Sequence, residues 1–471
     1  MSKSSAFLLI ILAILCTRCS MRRTEDGFKI DKDNVIVTPT PSRDRGQTDV
    51  LGLTVPAIDT VRVGFVGLGM RGSDAVVRYT YVPGVKIAAI CDVEPDRVKA
   101  SQQSLASRGF PAAAEYSGSL DAYTQLCESP DVDLVYICTD WEHHVPVALY
   151  AMEHGKHVAI EVPSAYSLED CWALVNMAEK KRLHCMILEN CCYDFFELSA
   201  LQMAREGLFG EVIHAEGSYL HNLDPYWDEY WNSWRLTFNK EHRGDAYPTH
   251  GFGPVCQVLN IHRGDRLKTL VAMDTKAFNG PKHVAARGGE NPEDFRNGDV
   301  STTMIRTEKG KTILIEHDVM TPRPYSRMYQ LVGTEGYAAK YPVSQLCFRG
   351  EALEGRTPDY SRLEGEKTLS GEALSAFMEE HRSPILTPEL EALAKEVGGH
   401  GGMDFIMDYR LIYCLRNGLP LDMDVYDLAE WCCVSELSAI SMEHGGAPVE
   451  VPDFTRGAWD RIDGFSYAFA E

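Results

Sequence analysis

Apolar positions along this chain change their spacing near residue 206, and that change predicts two kinds of domain. From Val61 onward, short continuous apolar runs alternate with longer stretches of helical periodicity. The runs are Val61–Val66, Lys86–Cys91, Leu134–Cys138, His157–Ile160 and His184–Leu188. Continuous runs rich in β-branched residues mark strands buried on both faces, and their alternation with helices predicts a parallel sheet. Helices are expected from the end of the first run to about Tyr81, at about Val145–His154 with Gly155 as its C-terminal cap, and at about Leu168–Lys181. After a further helix near Asp194–Glu206 the pattern turns to alternation, at Glu211–His221 and near Lys268–Phe278, Val300–Thr307, Thr312–Val319 and Tyr329–Gly333. Alternation marks strands buried on one side, so the second half should carry a large open, mostly antiparallel sheet. Helical periodicity returns beyond Leu374, broken by Gly398-Gly399-His400-Gly401-Gly402. The expected fold is α/β, an N-terminal parallel-sheet domain followed by an α+β domain with C-terminal helices.

The first 59 residues fit neither pattern. Lys3 followed by the apolar run Phe7–Leu15 reads as a signal segment over residues 1–20, since the run is too short to span a bilayer. Export to the periplasm or cell envelope is the expectation, with a lipid anchor at Cys19 and simple cleavage both open. Residues 21–59, polar and containing Thr38-Pro39-Thr40-Pro41, read as a linker. Domains are then expected at 60–190 and 191–471.

Composition narrows the partners more than the fold. With 46 basic and 68 acidic residues the net charge is −22, and no basic block is present, which argues against nucleic acid. Fourteen cysteines invite a disulfide or zinc reading, but their spacing supports neither. Cys191-Cys192 and Cys432-Cys433 are adjacent pairs, which rarely meet disulfide geometry. No metal-ligand spacing such as H-E-x-x-H occurs, so no metal is expected.

The first run leads directly into Gly67-Leu68-Gly69-Met70-Arg71-Gly72, a G-x-G-x-x-G turn opening a helix. In a Rossmann unit the first glycine allows the tight turn and the second lets the backbone approach a pyrophosphate. The third lets helix and strand pack closely. Asp92, at the end of the next run about twenty residues on, is placed to hold a ribose 2′-hydroxyl and would repel a 2′-phosphate. The cofactor expected is therefore NAD. Polar groups also close the later runs, at Trp141-Glu142-His143-His144, Glu161 and Asn190, where ligands of open α/β sheets gather. In the second domain Pro225–Arg235 is dense in aromatic residues, which serve equally to pack a loop or to cover the apolar face of a sugar.

The order of these motifs resembles the Gfo/Idh/MocA family over essentially residues 60–471. Two positions depart from its sugar dehydrogenases, which usually carry Glu-Lys-Pro and an Asp four residues before a catalytic His. This chain has Glu161-Val162-Pro163, and Ala246 before His250. Both departures, with Tyr247-Pro248-Thr249-His250-Gly251 and the Gly398–Gly402 stretch, resemble the NAD-dependent glycosidases of glycoside hydrolase family 109, known as α-N-acetylgalactosaminidases. That resemblance implies that Gly67, Gly69, Met70, Arg71, Gly72, Asp92, Trp141, Glu142, His143, His144, Glu161, Val162 and Asn190 surround NAD. It implies a glycan bearing terminal α-N-acetylgalactosamine as substrate, faced by Tyr219, Arg235, Tyr247, Pro248, Thr249, His250 and Tyr325, with Tyr247 and His250 catalytic. The implied reaction is oxidation at C3, elimination at C1, addition of water and reduction, with NAD recycled each turnover. Tyrosine (pKa about 10) and histidine (about 6.5) three residues apart can supply the base and the electrophile. Which of them is the base stays open, as does a homo-oligomer. Two other readings stand beside this one, a conventional NAD-dependent sugar dehydrogenase and a non-catalytic sugar-binding lipoprotein.

Overall fold

The structure is a computed structural model that describes residues 22–349 and 368–470. The signal segment expected at 1–20, with Cys19, lies outside the described residues. The expected linker is corrected. It begins with short strands β1 (Arg22–Arg23), β2 (Lys29–Ile30) and β3 (Ile36–Val37), and β3 pairs in parallel with a strand near the C-terminus, Val449 opposite Ile36. Val50, Leu51 and Leu53 are buried, and Arg43 forms a bidentate pair with Glu179 of the helix Leu168–Lys181. Residues 22–59 are thus a strap fastened across the body. Two-residue strands and scattered apolar anchors carry no periodicity, so only tertiary contact reveals them.

The N-terminal domain is a six-stranded parallel sheet of β4 (Val61–Val66), β5 (Val85–Asp92), β6 (Ala114–Ser117), β7 (Leu134–Ile137), β8 (His157–Ile160) and β9 (Cys185–Ile187). Its order is β6-β5-β4-β7-β8-β9, so the chain reverses direction across the sheet between β4 and β7. At such a switch point the loops leaving neighbouring strands diverge and open a crevice. The glycine turn leaves β4 there, and Cys138–Asp140 leaves β7. One helix starts earlier than expected. Asp140 caps it by accepting the His143 N–H at 3.2 Å, so Trp141–His144 form its first turn.

The second sheet has twelve strands among the described residues. It adds β10 (Val212–Leu220), β11 (Leu267–Asp274), β12 (Val300–Thr307), β13 (Thr312–Asp318), β14 (Gln330–Gly333), β15 (Gly336–Ala339), β16 (Gln345–Phe348), β17 (Thr368–Leu369) and β18 (Val449–Glu450). Their order is β1-β2-β3-β18-β11-β12-β13-β10-β14-β15-β16-β17, antiparallel except at β3/β18 and β10/β13. β12 alternates buried and exposed residues along most of its length, as its sequence predicts. The helix Thr249–Val258 lies close on β10 because two glycines face each other. A Cβ on Gly217 would stand 2.2 Å from the Gly251 carbonyl oxygen, and one on Gly251 would stand 2.0 Å from the Ser218 nitrogen. This contact fixes Tyr247–His250 over the end of the second sheet. The helix Met403–Asn417 returns to the N-terminal domain, where Arg78 and Tyr136 bind Asp408 at 2.8 and 2.9 Å. The cysteines described are all free.

Candidate functional site

The three glycines of the turn do different work. Gly67 has φ +89°, and a Cβ on it would lie 2.5 Å from the Cys138 carbonyl oxygen. On Gly72 a Cβ would lie 1.8 Å from the Gly67 carbonyl oxygen, so this glycine packs helix on turn and stays behind the surface. Gly69 meets nothing closer than 4.0 Å and faces open space, which leaves backbone room for a pyrophosphate. The space is a cavity of about 400 Å³ lined by Gly67, Gly69, Met70, Arg71, Asp92 and His143, with Tyr230, Trp231 and Trp234 on its far side. The aromatic insertion therefore divides its roles. Trp227 is core, while the three later rings wall the dinucleotide cavity.

Asp92 braces the turn, accepting the Leu68 N–H at 2.6 Å and the Glu94 N–H at 2.8 Å, with Arg97 3.5 Å away. It has reach into the cavity and a negative charge there, as a ribose diol requires and a 2′-phosphate does not. Replacing Asp92 with alanine should weaken NAD retention by about 1–3 kcal/mol. Mass spectrometry of nucleotide held through dialysis, or calorimetric titration, measures this. Retention equal to wild type would remove Asp92 from the site.

Arg71 is not a free phosphate ligand. It donates to Glu161 Oε1 at 2.9 and 3.1 Å and to Asp404 Oδ2 at 2.9 Å, with His400 Nδ1 at 3.2 Å. Asp404 also accepts from Asn190 at 2.5 Å. Burial opposes ionisation of Asp404, but Arg71, His400 and Arg78 hold it well below the usual carboxylate range. Glu161 and Asn190 thus support Arg71 and Asp404 and do not line the cavity. Val162 is buried and donates its N–H to Glu161 Oε2 at 3.2 Å. Two further positions lie outside the lining of the dinucleotide cavity. His144 is buried with its nitrogens 3.0 and 3.1 Å from the carbonyl oxygens of Pro163 and Thr139, which clamps two strand ends. Glu142 lines a different cavity, as does Trp141. His143 keeps its place beside the dinucleotide cavity, and its bond to Asp140 at 2.5 Å raises its pKa.

Tyr247 and His250 form a chain with a group the sequence reading passed over. Glu189, fully buried at the end of β9, lies 2.7 Å from His250 Nδ1, and His250 Nε2 lies 3.4 Å from the Tyr247 hydroxyl. Burial works against the Glu189 charge, yet His250 beside it keeps the carboxyl below its usual range. Such a carboxylate fixes the histidine tautomer with Nδ1–H donating and Nε2 free to accept. Burial pushes the Tyr247 phenol well up, so it serves as a proton donor. The signal for Glu189 was its position one residue before Asn190, at a strand end already suspected.

Around this chain lies a box of rings. Tyr219 stacks on Tyr247 at 4.3 Å, and the Arg235 guanidinium sits 4.9 Å from the Tyr247 ring, 5.0 Å from Trp141 and 5.3 Å from Tyr230. Its side-chain hydrogen bonds go to the hydroxyls of Tyr230 at 2.7 Å and Tyr219 at 3.5 Å, so it is a buried cation without a carboxylate partner among the described residues. A buried cation so placed favours negative charge developing near it. Trp234, on the dinucleotide cavity, packs 4.8 Å from Trp141, which joins the two halves of the site. Tyr325 stands further out, 42% exposed, in edge contact with His221 at 5.3 Å. His221, which the sequence reading missed, bonds the Tyr219 hydroxyl at 3.1 Å, and burial with the nearby Arg235 pushes its pKa down to about 4. Pro248 and Thr249 are buried and begin the helix that carries His250.

Comparison with known proteins agrees with this division. Residues 61–188 match the oxidoreductase family NAD-binding Rossmann fold, and residues 193–461 match the glycosyl hydrolase 109 C-terminal domain. A glycosyl hydrolase family 109 protein of Bacteroides thetaiotaomicron is 57% identical over 465 residues, covering 98% of each chain. One from Phocaeicola vulgatus is 60% identical over 434 residues, covering 92% of each. Among solved structures, a levoglucosan dehydrogenase in complex with NADH and levoglucosan aligns with a TM-score of 0.63 at 19% identity, over 84% of this chain and 100% of that one, a likeness of fold.

Proposed function

The chain belongs to glycosyl hydrolase family 109, an NAD-dependent glycoside hydrolase on an oxidoreductase fold, and from that premise we propose that it releases terminal α-linked N-acetylgalactosamine by oxidation, elimination, addition and reduction. The observation that carries the reading is the Glu189–His250–Tyr247 chain set beside Arg235, which meets no carboxylate among the described residues. The glycine turn with its open face at Gly69 and the braced Asp92 fit NAD, which when bound supplies reversible removal of hydrogen from C3 of the sugar.

A ketone at C3 makes the C2 proton acidic. In this reading His250 Nε2, oriented through Glu189, takes that proton, and the Tyr247 O–H donates to the oxygen on which charge collects. Arg235 adds a fixed positive charge behind Tyr247 and Tyr219. The departing aglycone oxygen needs a proton, and His400, held by Asp404 at 3.0 Å while its side chain stays 54% exposed, is open enough to deliver it. No pair of carboxylates is required, in contrast to most glycosidases.

A panel of aryl α- and β-glycosides, assayed without added cofactor, tests the assignment. Release from the α-N-acetylgalactosaminide with no net accumulation of NADH is the expected outcome. An oxidised sugar formed in step with NADH would make the protein a dehydrogenase instead.

A further inference from the structure

A second cavity of about 510 Å³ lies behind the catalytic loop, away from the dinucleotide cavity. Trp141, Tyr166 and Phe238, whose rings pack on one another at 4.4–5.0 Å, form one aromatic wall, and Asp245 lines it from the loop that leads to Tyr247. Asp245 is 1% exposed, and its side chain accepts one hydrogen bond, from the Tyr247 N–H to Oδ1 at 3.0 Å. Oδ2 accepts none among the described residues. The loop is firmly seated, since the Asp245 N–H donates to Ser438 Oγ at 2.9 Å and a Cβ on Gly244 would lie 2.6 Å from the Ser435 carbonyl oxygen.

The charges around this cavity do not balance. Its two arginines are already engaged, Arg243 with Asp274 at 2.8 Å and Arg296 with Glu443 at 2.9 Å. Glu142, Asp170, Asp245 and Glu436 have no cation partner among the described residues. Asp170 accepts a hydroxyl from Ser167, and Glu436 accepts the Leu168 N–H. Burial raises the Glu436 pKa, and Asp170 and Glu169 add to the rise, while burial alone takes Asp245 up to about 7. A buried carboxylate with an uncommitted oxygen is costly unless a cation or a proton reaches it. Aromatic walls beside it favour an organic cation over a hydrated ion.

We propose that this cavity binds a small organic amine, its ammonium paired with Asp245 and its apolar body against Trp141, Tyr166 and Phe238. The volume falls in the range of sites for such molecules. Because Asp245 also holds the backbone of Tyr247, an occupant would press on the mounting of a catalytic residue.

The test is calorimetric titration of the full chain, saturated with NAD so that the dinucleotide cavity is filled, with 2-phenylethylamine and its neutral counterpart 2-phenylethanol. The amine should bind about 10- to 100-fold more tightly, the margin of a charge-assisted hydrogen bond. Asp245→Asn should remove that margin, and Glu142→Gln, an exposed change at the rim, should lower amine affinity to a smaller extent. Should Asp245→Asn fail to fold, the amine–alcohol comparison and Glu142→Gln still decide. Equal affinity for amine and alcohol, an unchanged amine affinity in Asp245→Asn, or full displacement of the amine by equimolar sodium chloride would each overturn the proposal.

Discussion

His250→Ala and Tyr247→Phe are each expected to lower kcat on an α-N-acetylgalactosaminide by ~10²–10⁴-fold, the range for losing a positioned proton carrier. Both variants should retain NAD, because the two residues stand on the loop and helix packed against β10 and neither lines the dinucleotide cavity. Steady-state kinetics with parallel measurement of bound nucleotide separates the effects. A variant that loses activity only in proportion to lost NAD would assign its residue to cofactor binding. Near-normal kcat in His250→Ala would leave Glu189 and His250 as a structural pair, since a buried carboxylate 2.7 Å from an imidazole also occurs in ordinary cores.

Asp404→Asn should cost stability heavily, at about 3–5 kcal/mol. Its carboxylate is fully buried and meets Arg71 at 2.9 Å and Arg78 at 3.6 Å, so neutralising it leaves each of two cations with one carboxylate, Glu161 for Arg71 and Asp408 for Arg78. The sign with pH follows from its depressed pKa. The stabilisation is complete above the ordinary aspartate pKa of about 3.9 and fades as pH falls through the lower folded value. Asp408 runs the other way. Burial raises it to about 6, so its contribution is greatest below the ordinary aspartate pKa and is lost as pH rises through 6. Urea unfolding of wild type and Asp404→Asn across the acid range reads both effects. Equal stability of the two proteins at neutral pH would mean that Glu161 and Asp408 suffice for Arg71 and Arg78.

Much of this molecule was legible from local pattern. The continuous runs became the parallel sheet, the alternating runs became the large mixed sheet, and the glycine turn stands at the switch point where its spacing put it. Those features are local because strand burial and turn sterics act over a few residues. What escaped depends on residues far apart in the chain. Glu189 reaches His250 across 61 positions and Arg71 reaches Asp404 across 333, separations at which periodicity carries no information. The strap at 22–59 escaped for a related reason, since its anchors are single apolar residues without a repeat. Trp141–His144 were expected at a strand end, and the missed signal was Asp140, an N-cap residue directly before them. Resemblance implied that Glu142 and His144 surround NAD, and the structure sets the first on the lining of another cavity and the second between two carbonyl groups.

The central claim is that the glycosidic bond breaks only after the sugar has been oxidised and its C2 proton removed. Hydrolysis of an aryl α-N-acetylgalactosaminide in D₂O, followed by mass and NMR analysis of the released sugar, tests that claim most directly. Reprotonation at C2 from solvent must leave deuterium on that carbon, and the account predicts near-complete labelling there with none when the product alone is incubated without enzyme. Released sugar carrying only hydrogen at C2 would contradict the elimination route, even with the glycosidase activity in hand.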